Sequence, residues 1–351
     1  MRTAVLLLNF GEPEHATLET VVPFLERIFS LNAGLEGRTP PPEAAARSRA
    51  LAVARAPALL AEYRAMGGSP LHAQARGHAA ALAARLAGTG HDVVVLQGMQ
   101  FTEPLIPEAV QRALAAGAGR IIALPVYPLC GPTTTVAALA EVAAAVRPHG
   151  RSVELLELAG WHRHPRYLRL RAAAVLATAR GEGLDLRDPR TRVVFSAHGT
   201  PLRYILAGSR YDEYVRDFCQ ALATHLGLGE YLIGYQNHSN RPGVEWTQPD
   251  IETVIAAVDA DHLVVDPVSF MHEQSETLAE LDHELRAQAE GRGLGFHRVM
   301  IPHHDPAFIE VLADLLAPLL TGTVAGSPLR HCRCRATPGT FCLNGDELTS
   351  A

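Results

Sequence analysis

A histidine stands at the end of an apolar, β-prone run of the sequence, residues 193–197, where Gly199 and Pro201 stop the strand. Open α/β folds bind ligands at the carboxyl ends of parallel strands, so His198 is placed where a site is expected. Imidazole titrates near neutral pH and can accept a proton. A histidine at a strand end often serves structure only, and this alternative stays open.

Three glutamates form a second candidate group. Glu276, Glu280 and Glu284 are spaced four residues apart in a predicted helix, so they share one face. A row of carboxylates could pass a hydrated cation or carry protons outward. The alternative is a solvated acidic face. Glu273 and Asp282 are secondary candidates.

The five cysteines are unevenly placed. Cys332, Cys334 and Cys342 lie in the tail, and Cys130 follows a predicted strand. Grouped cysteines in a reducing compartment are more often metal or cluster sites than disulfides. Cys219 lies in a helix-like stretch and is expected to be buried and inert.

Length and composition bound the class of protein. The chain has 351 residues, 48% of them hydrophobic and 19% charged, which suits two α/β lobes of roughly 150 residues each and a tail. No apolar run reaches the ~18 residues of a membrane span, and no signal peptide is evident, so we expect a cytoplasmic protein. The net charge of −6 argues against a nucleic-acid partner.

Strand-like and helix-like segments alternate along the chain. The predicted strands are residues 4–9, 92–97, 120–125, 152–158, 192–197, 231–235, 262–266 and 296–300. Eight βα units could form a TIM barrel. We favour two doubly wound lobes, each with a four-stranded parallel sheet and with a cleft between them, because a long insertion at about residues 29–66 interrupts the pattern. The predicted domains are residues 1–148, 149–320 and an extended, polar tail, 321–351.

Five motifs in order resemble those of ferrochelatases. They are residues 7–13 (LLNFGEP), 66–71 (MGGSPL), 195–201 (FSAHGTP), 244–249 (VEWTQP) and 276–282 (ETLAELD). Each motif alone is weak to moderate, but five at family-like spacing over nearly the whole chain are specific. The resemblance implies two Rossmann-like lobes and the insertion of ferrous iron into a porphyrin bound between them.

The resemblance also implies roles for residues. His198 would accept a proton or contact the metal, and Glu276 would be its metal or proton partner. Glu280 and Glu284 resemble the family's acidic path. Metal contacts are expected from His198, Glu276, Glu280 and Glu284. Trp246 would form part of the porphyrin wall, although core packing is its ordinary alternative. Phe10, Tyr63 and Ser69 are weaker candidates for the same wall.

This sequence departs from the family in three places. Gln100 and Phe101 stand in the pocket where many relatives have arginine and tyrosine, and Gln274 replaces a histidine, with His272 two residues further back. The loop 236–241 is also unusual. These departures motivate one alternative, a chelatase for a different metal or tetrapyrrole. A second alternative is a non-catalytic tetrapyrrole-binding or redox-sensing protein on the same scaffold. The sequence also leaves open whether the porphyrin is protoporphyrin IX or coproporphyrin III.

The cysteines resemble those of ferrochelatases that carry a [2Fe–2S] cluster. In that group three tail cysteines join one from a strand-end loop, which here gives Cys130, Cys332, Cys334 and Cys342. Four thiolates meet the requirement of such a cluster. Zinc also accepts four cysteines, and unligated thiols are a third alternative. The apolar lip at residues 24–35 permits at most a peripheral membrane contact.

Overall fold

Two open β-sheets with flanking helices organise the chain in the computed structural model, which describes residues 1–35, 41–236 and 244–344. The first sheet contains β1 (Thr3–Asn9), β2 (Val93–Met99), β3 (Arg120–Pro125) and β4 (Glu154–Leu158) in the order β2-β1-β3-β4, all parallel. The second contains β5 (Thr191–His198), β6 (Leu232–Gln236), β7 (His262–Pro267) and β8 (Gly295–Arg298) in the order β6-β5-β7-β8, also parallel. All eight predicted strands are present, and the barrel alternative is wrong.

The tail corrects one part of the predicted fold. Two short strands, β9 (Arg330–His331) and β10 (Thr340–Cys342), extend the first sheet to six strands rather than four. β10 pairs with β4 in parallel, and β9 pairs with β10 antiparallel. The tail covers the backbone groups that β4 would otherwise expose at the sheet edge. Strands of two and three residues carry too little periodicity to be read from the sequence.

The helices cover both sheets. They are α1 (Leu18–Leu35), α2 (Pro41–Ala65), α3 (Leu71–Ala87), α4 (Ile106–Ala115), α5 (Ala137–Val146), α6 (Pro165–Gly181), α7 (Leu202–Leu206), α8 (Tyr211–Leu226), α9 (Ile251–Ala257), α10 (Arg286–Gly291) and α11 (Pro306–Thr321). Two π-helical segments, Pro132–Val136 and Glu276–Leu285, precede α5 and α10, and a 3₁₀ segment, Arg147–Ser152, follows α5. None of the helices in the described ranges is long and apolar enough to cross a membrane.

The central strands of both sheets are buried because helices cover both faces. Every residue of β1 is buried, which agrees with its unbroken run of apolar residues. Helices α1 and α2 fill the predicted insertion and pack against each other. The apolar residues Phe24 and Leu25 of the predicted membrane lip lie in that interface. Helix α11, assigned above to the second lobe, packs against both α3 and α6.

Candidate active site

His198 is the last residue of β5, a central strand of the second sheet. Its backbone N–H donates to Ser269 Oγ at 3.0 Å, and its ring Nδ1 lies 2.6 Å from the Gly199 carbonyl oxygen. A carbonyl only accepts hydrogen bonds, so Nδ1 carries the proton and Nε2 is the unprotonated nitrogen of the neutral ring. Burial lowers the pKa of His198 from 6.5, although 36% of its side chain is exposed. The ring is therefore a neutral base near pH 7.

Glu276 faces this nitrogen from the first turn of the π-helical segment Glu276–Leu285. Its Oε1 lies 3.9 Å from His198 Nε2, and its side chain is only 9% exposed. Gln274 Nε2 donates to Glu276 Oε2 at 2.8 Å. Burial raises the pKa of Glu276. A buried carboxyl with a raised pKa opposite a neutral imidazole is suited to proton exchange.

Glu12 is a further candidate site residue, which belongs to the first motif, residues 7–13, but is absent from the predicted candidates. It follows β1 in the first lobe and is 1% exposed. Burial and the charge of Glu276 raise its pKa to about 7. Its signal in the sequence resembles that of His198, since it lies three residues after the central strand β1. Its partner, Glu276, is 264 positions away in the chain, so no local sequence pattern indicates the pairing.

A serine hydroxyl joins the two carboxyls. Ser275 Oγ lies 2.5 Å from Glu12 Oε1 and 3.1 Å from Glu276 Oε2, and the Ser275 N–H donates to Glu12 Oε2 at 3.2 Å. A hydroxyl has one proton, so it bonds to both carboxyls only when one of them is protonated and donates to it. This geometry favours a pair that shares a proton, as closely spaced buried carboxyls do.

A glycine permits the chain to bring Glu12 to this position. Gly11 has φ +82°, a conformation that favours glycine. A Cβ added to Gly11 would also lie 2.3 Å from Thr102 Oγ1. A side chain at residue 11 would therefore displace the turn that carries Glu12.

Tyr63 and Ser69, predicted as parts of the porphyrin wall, lie beside the carboxyl pair. Ser69 Oγ donates to Glu12 Oε2 at 2.5 Å. Tyr63 extends from α2 and is fully buried, and burial together with the charges of Glu12 and Glu276 raises its pKa. Both residues thus contact or face the carboxyls from the first lobe.

The three predicted acidic residues form a gradient from the interior to the surface. Glu276 is buried, Glu280 is partly buried and Glu284 is exposed. Burial and the charge of Glu276 raise the pKa of Glu280 well above its ordinary value. Gln236, the last residue of β6, donates from Nε2 to the Glu276 carbonyl oxygen at 2.9 Å and to Glu280 Oε2 at 3.1 Å. The amide therefore holds the Glu280 carboxylate and the backbone of Glu276.

The secondary carboxylates Glu273 and Asp282 anchor the π-helical segment to β8. Arg298 donates to Glu273 Oε1 at 3.0 Å and makes two hydrogen bonds of 2.7 Å to Asp282. Glu273 also accepts from the Thr277 hydroxyl at 2.7 Å and from the Ile301 N–H at 2.9 Å. These oxygens are bonded to structural partners.

The aromatic candidates occupy two places. Phe101 packs against Phe10 with ring centroids 4.6 Å apart, and both contact Phe24 of α1. Trp246 is paired through its backbone with Pro201, three residues after His198. Gln100 is buried, and its Nε2 donates to the Thr133 carbonyl oxygen at 3.2 Å.

The other departures from the family are also placed. Gln274 contacts the site glutamate, whereas His272 is buried with its ring centroid 4.9 Å from that of His78. Burial lowers the pKa of His272 well below 6.5. Of the unusual loop 236–241, only Gln236 lies within the described residues.

Four of the five cysteines gather where the tail meets the loop after β3. The Sγ atoms of Cys130, Cys332 and Cys334 all lie within 4.8 Å of one another. Cys342 is buried, and its thiol interacts with that of Cys332. Hydrogen bonds with Cys332 and Cys334 raise the pKa of Cys130. Cys219 is buried apart from them in α8, where burial raises its pKa.

An amide without a partner supports a bound group at these cysteines. Asn344 is 2% exposed, and neither polar atom of its side chain has a hydrogen-bond partner among the described residues. A Cβ added to Gly160 would lie 2.2 Å from Asn344 Nδ2 and 3.1 Å from Cys130 Cβ, so the amide lies beside the cysteine group. A donor left unpaired there fits a group that carries its own acceptors, such as the sulfides of an iron–sulfur cluster.

Comparisons of the sequence with known proteins show the family of the chain. A sequence model of the family described as Ferrochelatase matches residues 2–319. A ferrochelatase of Synechococcus sp. (strain JA-3-3Ab) is 35% identical over 339 residues, covering 93% of this chain and 96% of the relative. A ferrochelatase of Aquifex aeolicus (strain VF5) is 30% identical over 322 residues, covering 90% and 99%. The three tail cysteines follow the matched region.

Comparisons with solved structures support the fold. The structure described as SirB from Bacillus subtilis with Fe3+ aligns with a TM-score of 0.52 at 12% identity, covering 91% of this chain and 97% of that chain. A sirohydrochlorin chelatase SirB from Bacillus subtilis subspecies spizizenii, in complex with cobalt, aligns with a TM-score of 0.51 at 11% identity, covering 93% and 98%. The two-sheet architecture is thus similar to that of chelatases.

Proposed function

The chain belongs to the ferrochelatase family, and we propose that its His198, Glu276 and Glu12 carry out the family reaction. That reaction inserts ferrous iron into a free-base porphyrin to make heme. Two pyrrole protons leave the macrocycle for each Fe²⁺ that enters. The site therefore needs two proton acceptors and a place where a cation is favoured.

His198 is the proposed acceptor of the first proton. Its Nδ1–H is held by the Gly199 carbonyl, which leaves Nε2 as the basic nitrogen. The lowered pKa of the ring keeps it neutral at pH 7 and ready to accept. Glu276, 3.9 Å away, stabilises the imidazolium that forms. This pairing of base and carboxylate is the observation that carries the proposal.

The carboxyl pair is proposed to exchange a proton for the metal. Burial raises the pKa of both Glu12 and Glu276, and the Ser275 hydroxyl between them favours a pair that shares a proton. An incoming Fe²⁺ favours the ionised form of both carboxyls, so the shared proton leaves. Once the metal passes to the porphyrin, the ionised pair accepts the second pyrrole proton. Glu280 and Glu284 continue from Glu276 towards solvent, which gives that proton a path out.

The porphyrin is proposed to lie between the lobes, residues 1–148 and 149–320, against Trp246. The Trp246 loop is tied to the strand end of His198, since the Thr247 N–H donates to the Thr200 carbonyl oxygen at 3.0 Å. This contact supports a role for Trp246 as a flat aromatic that packs against the macrocycle beside the base. Phe10, Gln100 and Phe101 are proposed to contribute from the first lobe. Protoporphyrin IX and coproporphyrin III both remain candidate substrates.

We also propose that Cys130, Cys332, Cys334 and Cys342 hold a [2Fe–2S] cluster. The convergence of the thiols and the unpaired Asn344 amide support this assignment. Such a cluster supplies a one-electron redox couple when bound. Iron insertion transfers no electron, so we assign the cluster a structural or redox-sensing role. Thiols that stay reduced agree with a cytoplasmic location.

The test is an anaerobic visible spectrum of the protein with ferrous iron and either porphyrin. We expect the wild type to convert the free-base bands to heme bands. We expect Glu276→Gln to bind the porphyrin without converting it. The preferred porphyrin is the one converted faster. Binding of porphyrin by the wild type with no conversion would overturn the proposal. Cobalt and nickel, tested in parallel, would then distinguish another chelatase from a non-catalytic binder.

A further inference from the structure

A tyrosine from the second lobe reaches the cysteine group. Tyr214, in the first turn of α8, places its Oη 3.1 Å from Cys334 Sγ. The contact joins residues 120 positions apart, one in the second lobe and one in the tail. It is distinct from the backbone pairing of the tail with β4.

The chemistry of a ligated cysteine determines which atom donates. A cysteine that binds a metal has lost its proton, so its sulfur can only accept. Tyr214 has a phenolic O–H, which ordinarily keeps its proton near neutral pH, and its Oη lies within hydrogen-bond reach of the sulfur. The Arg210 guanidinium lies 5.7 Å from the centroid of the Tyr214 ring, which favours a fixed position of the ring. Tyr214 therefore presents an O–H donor to the sulfur.

We propose that Tyr214 is a positioning residue that sets the reduction potential of the metal group bound at Cys334. This inference rests on the proposed [2Fe–2S] cluster. Reduction adds negative charge to the cluster, and a hydrogen bond to a ligand sulfur stabilises the more negative state. The tyrosine thus raises the potential, and its hydroxyl is the group responsible.

The chain offers a matched control one helical turn away. Tyr211, also in α8, places its Oη 3.0 Å from Ser269 Oγ, the atom that accepts the His198 N–H. Both tyrosines lie in α8, and both rings are buried. Only Tyr214 is bonded to a cysteine. Replacing each with phenylalanine removes one hydroxyl and keeps the ring.

The experiment is a dithionite titration of the purified full chain, followed through the visible absorption of the cluster. Tyr214→Phe is expected to lower the midpoint potential by ~59 mV, which for one electron is a tenfold change in the reduction equilibrium. Tyr211→Phe is expected to leave the potential unchanged. A Tyr214→Phe potential equal to that of the wild type would overturn the proposal. An equal shift in both variants would also do so.

A second measurement needs no variant. Transfer of the wild type to D₂O should shift the Fe–S stretching frequencies in the resonance Raman spectrum, because the donor proton at sulfur exchanges. Absence of a shift contradicts the hydrogen bond even if Tyr214→Phe fails to fold. If the wild type shows no iron–sulfur absorption and binds zinc instead, the cluster assignment itself fails, and this inference fails with it.

Discussion

Three ionisable side chains form the candidate centre, and each owes its properties to one local cause. A backbone carbonyl fixes the tautomer of His198. Burial raises the pKa of Glu276. Burial and the neighbouring carboxyl raise the pKa of Glu12 to about 7. Near neutral pH these groups are therefore a neutral base and a partly protonated acid pair, the states that proton removal and cation entry require.

The raised pKa of Glu12 predicts how stability depends on pH. An unfolded glutamate titrates near 4.5, whereas Glu12 in the folded protein titrates near 7. Its stabilising contribution is therefore complete below pH 4.5 and is lost as the pH rises through 7, with an upper limit on the order of 3 kcal/mol. Glu12→Gln should flatten the fall in the free energy of unfolding between pH 5 and 8.

Urea denaturation at several pH values measures this effect. Glu14→Gln is the control, because Glu14 is exposed and Arg76 lowers its pKa, opposite in direction to Glu12. That variant should keep the wild-type slope between pH 5 and 8. A wild-type slope in Glu12→Gln would show that Glu12 titrates normally.

The elements explain which parts of the site the sequence predicts. β-prone segments that alternate with helix-like segments identify all eight main strands, and the end of β5 identifies His198. Glu12 lies three residues after β1, so a search extended to the residues that follow each strand would include it. The pairing of Glu12 with Ser275 depends on how the two lobes meet, which no local pattern contains. The tail strands β9 and β10 are too short to carry a pattern, and the strand that β10 joins, β4, lies more than 180 residues earlier in the chain.

The π-helical segment Glu276–Leu285 predicts unequal effects of its carboxylates. Glu280 is held by Gln236 and is partly buried, whereas exposed Glu284 can be replaced by water. Glu280→Gln should lower kcat for iron insertion by about tenfold, less than the 10²–10⁴ expected of a direct proton acceptor. Glu284→Gln should stay within about twofold of the wild type. Stopped-flow absorbance measures both rates, and equal effects would contradict a graded path.

The cysteine group at the tail predicts that replacing Cys334 and replacing Cys219 have different effects. Cys334→Ala should remove the visible absorption of the cluster and lower the thermal midpoint, since the tail then loses one of its attachments to the loop after β3. Cys219→Ala is the control, because Cys219 is buried in α8 away from the group. It should keep the absorption. Retained colour in Cys334→Ala would remove this cysteine from the ligand set.

At the scale of the whole molecule, the candidate site lies where the carboxyl ends of the two sheets meet. Glu12 comes from the first lobe, and His198, Ser275 and Glu276 come from the second. A second contact between the lobes lies close by, where the Glu273 N–H donates to Gln74 Oε1 at 2.9 Å. The carboxyl ends of both sheets therefore supply the groups, as ligand sites in open α/β folds do. Neither lobe alone holds the carboxyl pair and the base.

The most direct test of the account is the rate of heme formation from ferrous iron and free-base porphyrin by His198→Ala. The variant should lose about 10²–10⁴-fold in kcat, the contribution of a positioned base, while porphyrin affinity stays within a few-fold of the wild type. The acid limb of the wild-type pH profile, expected below pH 6.5 because the pKa of His198 is lowered, should disappear in the variant. A wild-type rate and profile in His198→Ala would contradict the central claim.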